Sequence, residues 1–221
     1  MKSNRIFEDR RHAGRELAAA IKRCALRNPL ILGLPRGGVP VAYEVAKAVD
    51  ADLDVLVVRK LGVPHQPELA FGAIASGGVR VINEDTIRLV AELDESAIEP
   101  IVARETSELK RREALFRDGR AYPDFQDRDV VLVDDGMATG ATMRAAAQAA
   151  RRRNPNRILV AVPTASAEAV SRISGDVDDV ICLDTPRYFA AVGNYYRRFD
   201  QTTDEDVRTL LNEAWHARSA A

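Results

Sequence analysis

Two adjacent carboxylates and a short loop rich in glycine and threonine are the residues of this chain best suited to chemistry on a phosphorylated sugar. Asp134 and Asp135 directly follow the apolar run Val130–Val133, which is typical of a buried parallel strand. The loop 136–142 then leads into an alanine-rich helical pattern. Unpaired N–H groups at a helix start favour an anion, and small residues let a phosphate approach them. The carboxylates accept hydrogen bonds, so they suit sugar hydroxyls or the water shell of Mg²⁺.

This loop lacks the Gly-Lys-Ser/Thr ending of a Walker A loop and the Gly-x-Gly-x-x-Gly pattern of dinucleotide sites. Four apolar residues, two acidic residues and a Thr-Gly-x-Thr loop resemble the signature of type I phosphoribosyltransferases, which use 5-phosphoribosyl-1-pyrophosphate (PRPP). The resemblance implies that Asp134 and Asp135 hold the ribose hydroxyls, or a Mg²⁺ ion through water or PRPP. It implies that the 5′-phosphate is bound by the loop residues Ala138, Thr139, Gly140, Ala141 and Thr142. The alternative is an ordinary strand, loop and helix with a solvated acidic turn.

A second glycine loop lies near the N-terminus. The apolar strand pattern Leu30–Gly33 is followed by the segment Leu34–Pro40 and then by a helical pattern. The guanidinium group of Arg36 can hold an anion in a fork of N–H donors. In the resemblance this segment takes the place of the pyrophosphate loop, with Arg36, Gly37 and Gly38 as its ligands. By itself a Pro-Arg-Gly-Gly sequence is more often only a turn.

Two adjacent cations, Arg59 and Lys60, follow the apolar strand pattern Asp54–Val58. Cations at the carboxyl end of a parallel strand face the ligand edge of an open α/β sheet, although such a pair is also common on protein surfaces. The segment Val58–Pro64 resembles the opening of the mobile loop that covers the active site in adenine and orotate phosphoribosyltransferases. In those enzymes the cations bind pyrophosphate, so the resemblance assigns both pyrophosphate binding and catalysis to Arg59 and Lys60.

The sequence does not identify the residue that transfers a proton to or from the acceptor. Ala138 before Thr139 is closest to the adenine branch, whereas the hypoxanthine-guanine branch has an aspartate there that is thought to handle the base proton. Alanine cannot do this, so the candidate catalytic residues are His65 and Glu68 in the loop. A single loop histidine or glutamate is more often merely exposed.

Aromatic residues are concentrated between positions 188 and 199, after the last strand pattern. In family relatives a comparable stretch supplies the ring that stacks on the base, so Tyr188 and Phe189 are the base-stacking candidates. The chain as a whole is similar to a group of bacterial phosphoribosyltransferase-like proteins that share the Leu-Pro-Arg-Gly-Gly-Val-Pro and Val-Arg-Lys-Leu-Gly-Val-Pro segments.

The elements that would position these motifs follow from the apolar patterns. The fold class is predicted to be α/β, a Rossmann-like open parallel sheet of about five strands flanked by helices, in a single domain over 1–221. The predicted strands are Leu30–Gly33, Asp54–Val58, Val130–Val133, Ile158–Val162 and Val180–Leu183.

Two further elements are predicted outside this sheet. Phe71–Ile74 and Val79–Ile82 alternate about a Gly-Gly turn, which indicates a β-hairpin that carries the mobile loop. Helical patterns within 83–118 predict an insert that forms a hood or a dimer surface. The charged residues of this insert, Glu105 among them, are expected to face solvent. The segment 7–10 could be functional, but a solvated helix start is the expectation.

The composition limits the classes of partner. With 221 residues, 46% apolar and 29% charged, the chain resembles other soluble globular proteins. Its formal net charge of −1 gives no general basic field, so nucleic acid is not expected as a partner. No apolar run reaches membrane-spanning length and the charged N-terminus lacks a signal-peptide core, so no membrane partner is expected and the cytoplasm is the expected location.

Together these motifs predict a phosphoribosyltransferase that transfers the phosphoribosyl group of PRPP to a nitrogenous base or amine with Mg²⁺-dependent release of pyrophosphate. A non-catalytic PRPP-binding regulatory protein is the alternative, because Ala138 and the unusual insert weaken the link to base chemistry. A phosphatase or nucleotidase fits the acidic pair but not the Thr-Gly-x-Thr loop. The sequence leaves open the base or amine and the choice between monomer and homodimer.

Overall fold

The five predicted parallel strands form one sheet in the computed structural model, which describes residues 5–64, 66–82, 87, 89–90 and 95–219. The strand order is β2-β1-β6-β7-β8, and each neighbouring pair is parallel. These strands are β1 (Leu30–Gly33), β2 (Asp52–Val55), β6 (Asp129–Val133), β7 (Arg157–Thr164) and β8 (Asp179–Asp184). The predicted fold class is therefore confirmed, with β6 in the centre of the sheet.

Burial explains why the apolar runs predicted these strands well. Every residue of β1 and β6 is buried, because helices cover both faces of the sheet. On one face pack α1 (Arg10–Ile21), α2 (Gly38–Val49), α3 (Glu95–Arg117) and α6 (Asp204–Ser219). On the other face pack α4 (Ala141–Arg151) and α5 (Ala167–Ile173).

A second sheet of three antiparallel strands contains the predicted hairpin. Its strands are β3 (Val58–Val63), β4 (Gln66–Ala75) and β5 (Val79–Ile82). The hairpin of β4 and β5 is confirmed, with Ala75 paired to Val79. The third strand, β3, was not predicted.

The predicted strand Asp54–Val58 was wrong at both ends. The parallel strand β2 ends at Val55, and Val58 already belongs to β3 in the other sheet. Arg59 and Lys60 therefore lie within an antiparallel strand, paired with Ile74 and Ala73, rather than at the carboxyl end of a parallel strand. The apolar run concealed this change of sheet because Val55, Leu56 and Val57 are all buried.

Helix α3 accounts for most of the predicted insert. Its residues Ile101 and Leu109 are buried in the same core as Leu61 and Phe71 of the small sheet. The expectation that its charged residues all face solvent was wrong for Glu105, which is only 8% exposed. Residues 83–86, 88 and 91–94 of the insert lie outside the described part of the chain. The assignment of 83–118 as a hood, and of 1–221 as a single domain, stays a prediction.

The N-terminal segment is joined to the segment that follows β8. The N–H of Phe7 donates to the carbonyl of Tyr195 at 2.8 Å, and the N–H of Arg197 donates to the carbonyl of Phe7 at 2.8 Å. The Phe7 ring is fully buried, with its centroid 5.6 Å from that of Tyr196. Phe7 thus anchors the segment that follows β8 over the sheet.

Among the helices that the structure describes, none combines the length and the apolar character that crossing a bilayer requires.

Removal of the Phe7 ring is expected to destabilise the whole fold. Phe7→Ala should lower the free energy of unfolding by about 3–5 kcal/mol, because the substitution leaves a cavity in a closed aromatic cluster. The neighbouring Ile6 is 52% exposed, so Ile6→Ala is the matched control and should change the same quantity by less than about 0.5 kcal/mol. Urea unfolding measures both, and equal effects of the two substitutions would show that Phe7 is not an anchor.

Candidate functional site

The loop after β6 presents small, exposed residues at the start of α4. The side chains predicted to bind phosphate are exposed at Ala138, Thr139, Ala141 and Thr142. Gly140 precedes the helix with a φ of +75°, a conformation that glycine adopts without strain. The loop is held from behind, since Ser166 Oγ donates to the carbonyl of Ala138 at 2.7 Å. The backbone N–H groups of a fixed helix N-terminus can bind an anion, and small side chains leave room for it.

The loop before α2 packs directly against the acidic pair. The N–H of Leu34 donates to the carbonyl of Val133 at 2.8 Å. A Cβ atom on Gly37 would lie 2.1 Å from Asp135 Oδ2, and one on Gly38 would lie 2.5 Å from the carbonyl oxygen of Val133. Neither position can therefore carry a side chain without displacing its neighbour. The structure thus brings together the two loops that the sequence assigned to pyrophosphate and to phosphoribose.

Arg36 lies on the outer side of the same loop. Its side chain is 38% exposed, and its Nη1 atom is 3.7 Å from Asp204 Oδ1 at the start of α6. The peptide bond between Pro35 and Arg36 is cis. Because this ion pair is long and open to solvent, it leaves the guanidinium group accessible to a ligand.

Arg10 is a site residue that the sequence analysis missed. Its Nε donates to Asp135 Oδ2 at 2.8 Å and its Nη1 donates to the carbonyl of Asp200 at 2.6 Å. The guanidinium carbon lies 3.9 Å from the centroid of the Phe199 ring. The expected solvated helix start was therefore wrong at Arg10. One signal was available, because a cation in the first turn of a helix opposes the helix dipole and so invites another partner.

The acidic pair is short of positive charge. Burial raises the pKa of Asp134 well above its usual value, and the neighbouring charge of Asp135 raises it further. Burial also raises the pKa of Asp135, although the charge of Arg10 opposes this effect. Asp134 Oδ1 accepts a hydrogen bond of 2.8 Å from the N–H of Asp135. Asp135 thus has a cationic partner in Arg10, whereas Asp134 is held by a backbone donor.

These carboxylates suit a magnesium ion that is shared with a ligand. Among the described residues, no group of three or more His, Cys, Asp or Glu side chains could hold a metal by itself. Mg²⁺ commonly binds one or two carboxylates and completes its shell with water and phosphate oxygens. The donor set of Asp134 and Asp135 fits that arrangement and does not fit a closed protein site.

The two cations of β3 are in different surroundings. Arg59 donates from Nε and Nη2 to Glu105 Oε2, at 2.8 and 2.6 Å. Lys60 is exposed. His65 lies outside the described residues, and so does the side chain of Glu68, whose backbone belongs to β4. The structure therefore attaches Arg59 to α3 and leaves Lys60 open to solvent.

The two base-stacking candidates also differ. The Phe189 ring stacks on the Tyr195 ring, with centroids 5.2 Å apart, within the same aromatic cluster as Phe7. Tyr188 is 80% exposed, and its carbonyl accepts a hydrogen bond of 3.0 Å from the Tyr195 hydroxyl. The backbone of Tyr188 is therefore fixed while its ring is available to a ligand. Stacking on a base stays a prediction for both residues.

Comparison with known proteins gives matches over most of the chain. A family profile described as the phosphoribosyl transferase domain matches residues 5–197. Two Mycobacterium tuberculosis proteins, from strains CDC 1551 and H37Rv, carry provisional phosphoribosyl transferase names and are 50% identical over 210 residues. The match covers 95% of this chain and 47% of each relative, so the chain spans about half the length of the curated relatives it matches. A crystal structure of a Thermus thermophilus protein is 47% identical, with a TM-score of 0.86, and the match covers 94% of this chain and 98% of that one.

The unequal partners of the two carboxylates give a testable difference in stability. Because the pKa of Asp134 is raised in the fold, its stabilising contribution is present below the ordinary carboxyl pKa and is lost as the pH rises through the raised value. In the ligand-free protein at pH 7.5, Asp134→Asn should raise Tm by a few degrees, since about 1 kcal/mol moves Tm by roughly 2–4 °C in a chain of this size. The amide oxygen can still accept the Asp135 N–H.

Asp135→Asn is the matched control for this experiment. It should leave Tm unchanged or lower it, because Arg10 loses its ion pair. Differential scanning calorimetry at pH 5 and pH 7.5 compares both variants with the wild type. The assignment of charges is contradicted if Asp134→Asn lowers Tm at pH 7.5 or if both variants behave alike.

Proposed function

We propose a phosphoribosyl transfer reaction for this chain, which belongs to the phosphoribosyl transferase family. The proposed reaction moves the 5-phosphoribosyl group of PRPP to a ring nitrogen or amine of a small acceptor. The new bond forms between that nitrogen and C1 of the ribose, and the C1–O bond breaks as pyrophosphate leaves with the electron pair. The observation that carries the proposal is the packing of Gly37 and Gly38 against Asp134 and Asp135, because it joins the two PRPP-binding loops in one site.

The phosphoribose part of PRPP is proposed to bind the loop at the start of α4. The 5′-phosphate would receive hydrogen bonds from backbone N–H groups of 138–142 and from the hydroxyls of Thr139 and Thr142. Asp134 and Asp135 would accept hydrogen bonds from the ribose 2′- and 3′-hydroxyls. Arg10 keeps Asp135 in a fixed orientation through its bond of 2.8 Å, so this carboxylate is positioned before the substrate arrives.

The pyrophosphate part is proposed to bind the loop at the start of α2 and the cations of β3. Arg36 would donate from its guanidinium group, and backbone N–H groups of Gly37 and Gly38 would donate to the phosphates. Lys60 is free to move toward the leaving group, whereas Arg59 is oriented by Glu105. Asp134 and Asp135 would hold a Mg²⁺ ion through water or PRPP, and this ion would supply neutralisation of charge on the leaving pyrophosphate.

The acceptor is proposed to bind at the aromatic segment that follows β8. The exposed ring of Tyr188 is offered as the stacking surface for a base, with Phe189 behind it in the aromatic cluster. Ala138 cannot exchange a proton, so His65 and Glu68 stay the candidates for that role. The cytoplasmic location and the homodimer stay predictions.

Loss of both carboxylates is expected to weaken PRPP binding strongly. Each Asp→Asn change at 134 and 135 removes a charge-assisted hydrogen bond of about 1.5–3 kcal/mol, so the double variant should bind Mg-PRPP at least 100-fold more weakly. Asp124→Asn changes an exposed carboxylate before β6 and is the matched control, expected to bind like the wild type. Isothermal titration calorimetry measures the affinity, and equal binding by the double variant and the wild type would remove the central assignment.

Lys60 is expected to act mainly on the chemical step. Negative charge grows on pyrophosphate only as the C1–O bond breaks, so Lys60→Ala should reduce turnover by a larger factor than it raises the PRPP dissociation constant. Lys110→Ala, an exposed lysine on α3, is the matched control. Single-turnover pyrophosphate release over a panel of bases, measured beside direct PRPP binding, gives both quantities. A Lys60→Ala variant that binds and reacts like the wild type contradicts the loop assignment.

The same assay distinguishes the role of Arg59 from that of Lys60. It also tests the non-catalytic alternative. Arg59→Ala should reduce turnover and affinity together, and it should also destabilise the fold, because the buried Glu105 keeps only the exposed Arg104 as a cationic partner. A PRPP-binding regulatory protein would instead bind PRPP and release no pyrophosphate with any base of the panel.

A further inference from the structure

A second charged cavity lies at the opposite end of the small sheet from the predicted mobile loop. Strand β4 begins at Gln66, beside that loop, and ends at Ala75, beside the turn that contains Gly77. Next to this turn is a cavity of about 270 Å³ at the end of α3. Its lining includes Gly77, Glu113, Arg117, Gly119, Arg120 and Tyr122. None of these residues belongs to the site described above.

Arg117 lines this cavity and also carries a buried donor that has no partner within the described residues. The residue is only 4% exposed. Its Nη2 donates to the carbonyl of Ala121 and lies 3.1 Å from Asp54 Oδ2, while the guanidinium carbon is 4.3 Å from the Tyr122 ring centroid. Its Nη1 is buried and has no hydrogen-bond partner within the described residues. A buried cationic N–H without an acceptor is costly, so this atom calls for one from a ligand or water.

Two more guanidinium groups lie near the same cavity, one in its lining and one packed behind the lining residues Gly77 and Tyr122. Arg120 lines it and stacks on Trp215, with its guanidinium carbon 4.3 Å from the ring centroid. Arg153 stacks on Tyr122 at 4.4 Å and packs against Gly77, where a Cβ atom would lie 2.6 Å from its Nη2. These three arginines face two carboxylates, Asp54 and Glu113. The N–H of Gly77 donates to Glu113 Oε1 at 3.1 Å, so Glu113 is engaged with the turn.

We propose that this cavity binds a small tetrahedral oxyanion with the size and charge of inorganic phosphate, held by Arg117 Nη1 and Arg120. A water molecule would satisfy Nη1 but would leave the excess positive charge of the three arginines uncompensated. The guanidinium fork matches the geometry of a phosphate group. A volume of about 270 Å³ is at the lower limit for organic ligands, so it suits a hydrated phosphate rather than a nucleotide.

Asp54 gives the proposed site a dependence on pH. Burial raises the pKa of Asp54 to about 6, although the charge of Arg117 opposes this effect. Arg120, Glu113 and Tyr122 are the other ionisable groups near it. Below that pH Asp54 is protonated and no longer neutralises Arg117, so an oxyanion should bind more tightly at pH 5.5 than at pH 7.5. Sulfate suits this comparison because its charge does not change over the range.

Trp215 provides the readout. It is the one tryptophan in the sequence, and an anion that draws Arg120 away from the indole ring should change its fluorescence. Sodium sulfate is added to the full chain at an ionic strength held constant with chloride, and calorimetry measures binding in parallel. A saturable fluorescence change is expected at both pH values, with an affinity at least threefold higher at pH 5.5. Inorganic phosphate at pH 7.5 should compete with sulfate for the same response.

The variants identify the ligands. Arg117→Lys keeps a cation for Asp54 but removes the fork, and Arg120→Gln removes the second donor from a more exposed position. Each should weaken sulfate binding at least tenfold in calorimetry. Arg104→Gln, an arginine of α3 with a side chain 73% exposed, is the matched control and should bind like the wild type. If Arg117→Lys does not fold, Arg120→Gln alone decides the result.

A further variant distinguishes this cavity from the proposed phosphate site at the start of α4. Thr139→Val with Thr142→Val should leave the Trp215 response unchanged, because those residues belong to the other site. The proposal is overturned by a response that does not saturate, by equal affinity in Arg120→Gln and the wild type, or by weaker sulfate binding at pH 5.5. It is also overturned if the threonine variant abolishes the Trp215 response.

Discussion

The close approach of two glycine backbones to a buried pair of carboxylates is the constraint on which the rest of this structure depends. Gly37 and Gly38 stand where any Cβ atom would collide with Asp135 or with the end of β6. This approach is possible only because β1 and β6 are adjacent and parallel, so that their following loops leave the sheet at the same edge. The order of strands therefore determines which loops can form one site.

The acidic pair makes a further demand on the fold. Burial raises the pKa of both Asp134 and Asp135, and the charge of Asp135 raises that of Asp134 further, so two negative charges at neutral pH oppose folding. The charge of Arg10 offsets part of this cost at Asp135. The remaining deficit of positive charge lies where a ligand cation or hydroxyl groups would bind. The ligand-free fold is therefore less stable because its acidic pair lacks a compensating charge, and this same deficit favours binding of a ligand.

The small sheet connects this edge of the molecule to α3. Arg59 and Glu105 join β3 to the helix, and the far end of β4 reaches the cavity beside Arg117. The guanidinium groups at both places are paired with buried carboxylates, Glu105 and Asp54. Helix α3 thus contacts β3 through the ion pair of Arg59 and Glu105 as well as through the apolar core that contains Ile101 and Leu61. The residues of these ion pairs are charged, so an analysis based on apolar periodicity does not detect them.

The sequence by itself determined the elements whose burial is continuous. The runs Leu30–Gly33 and Val130–Val133 predicted parallel strands because both of their faces are covered. The acidic pair and the glycine loops were equally visible, since each is a short contiguous pattern, and the alternation around Gly77 predicted the hairpin.

Only the tertiary structure decided what depends on contacts between distant parts of the chain. The change from β2 to β3 was hidden within one buried apolar run, because burial does not reveal which sheet a strand joins. Arg10 meets Asp135 across 125 positions of sequence, and Arg59 meets Glu105 across 46. No local pattern identifies the partners in these ion pairs, because the packing of α1 and α3 decides which charged side chains meet.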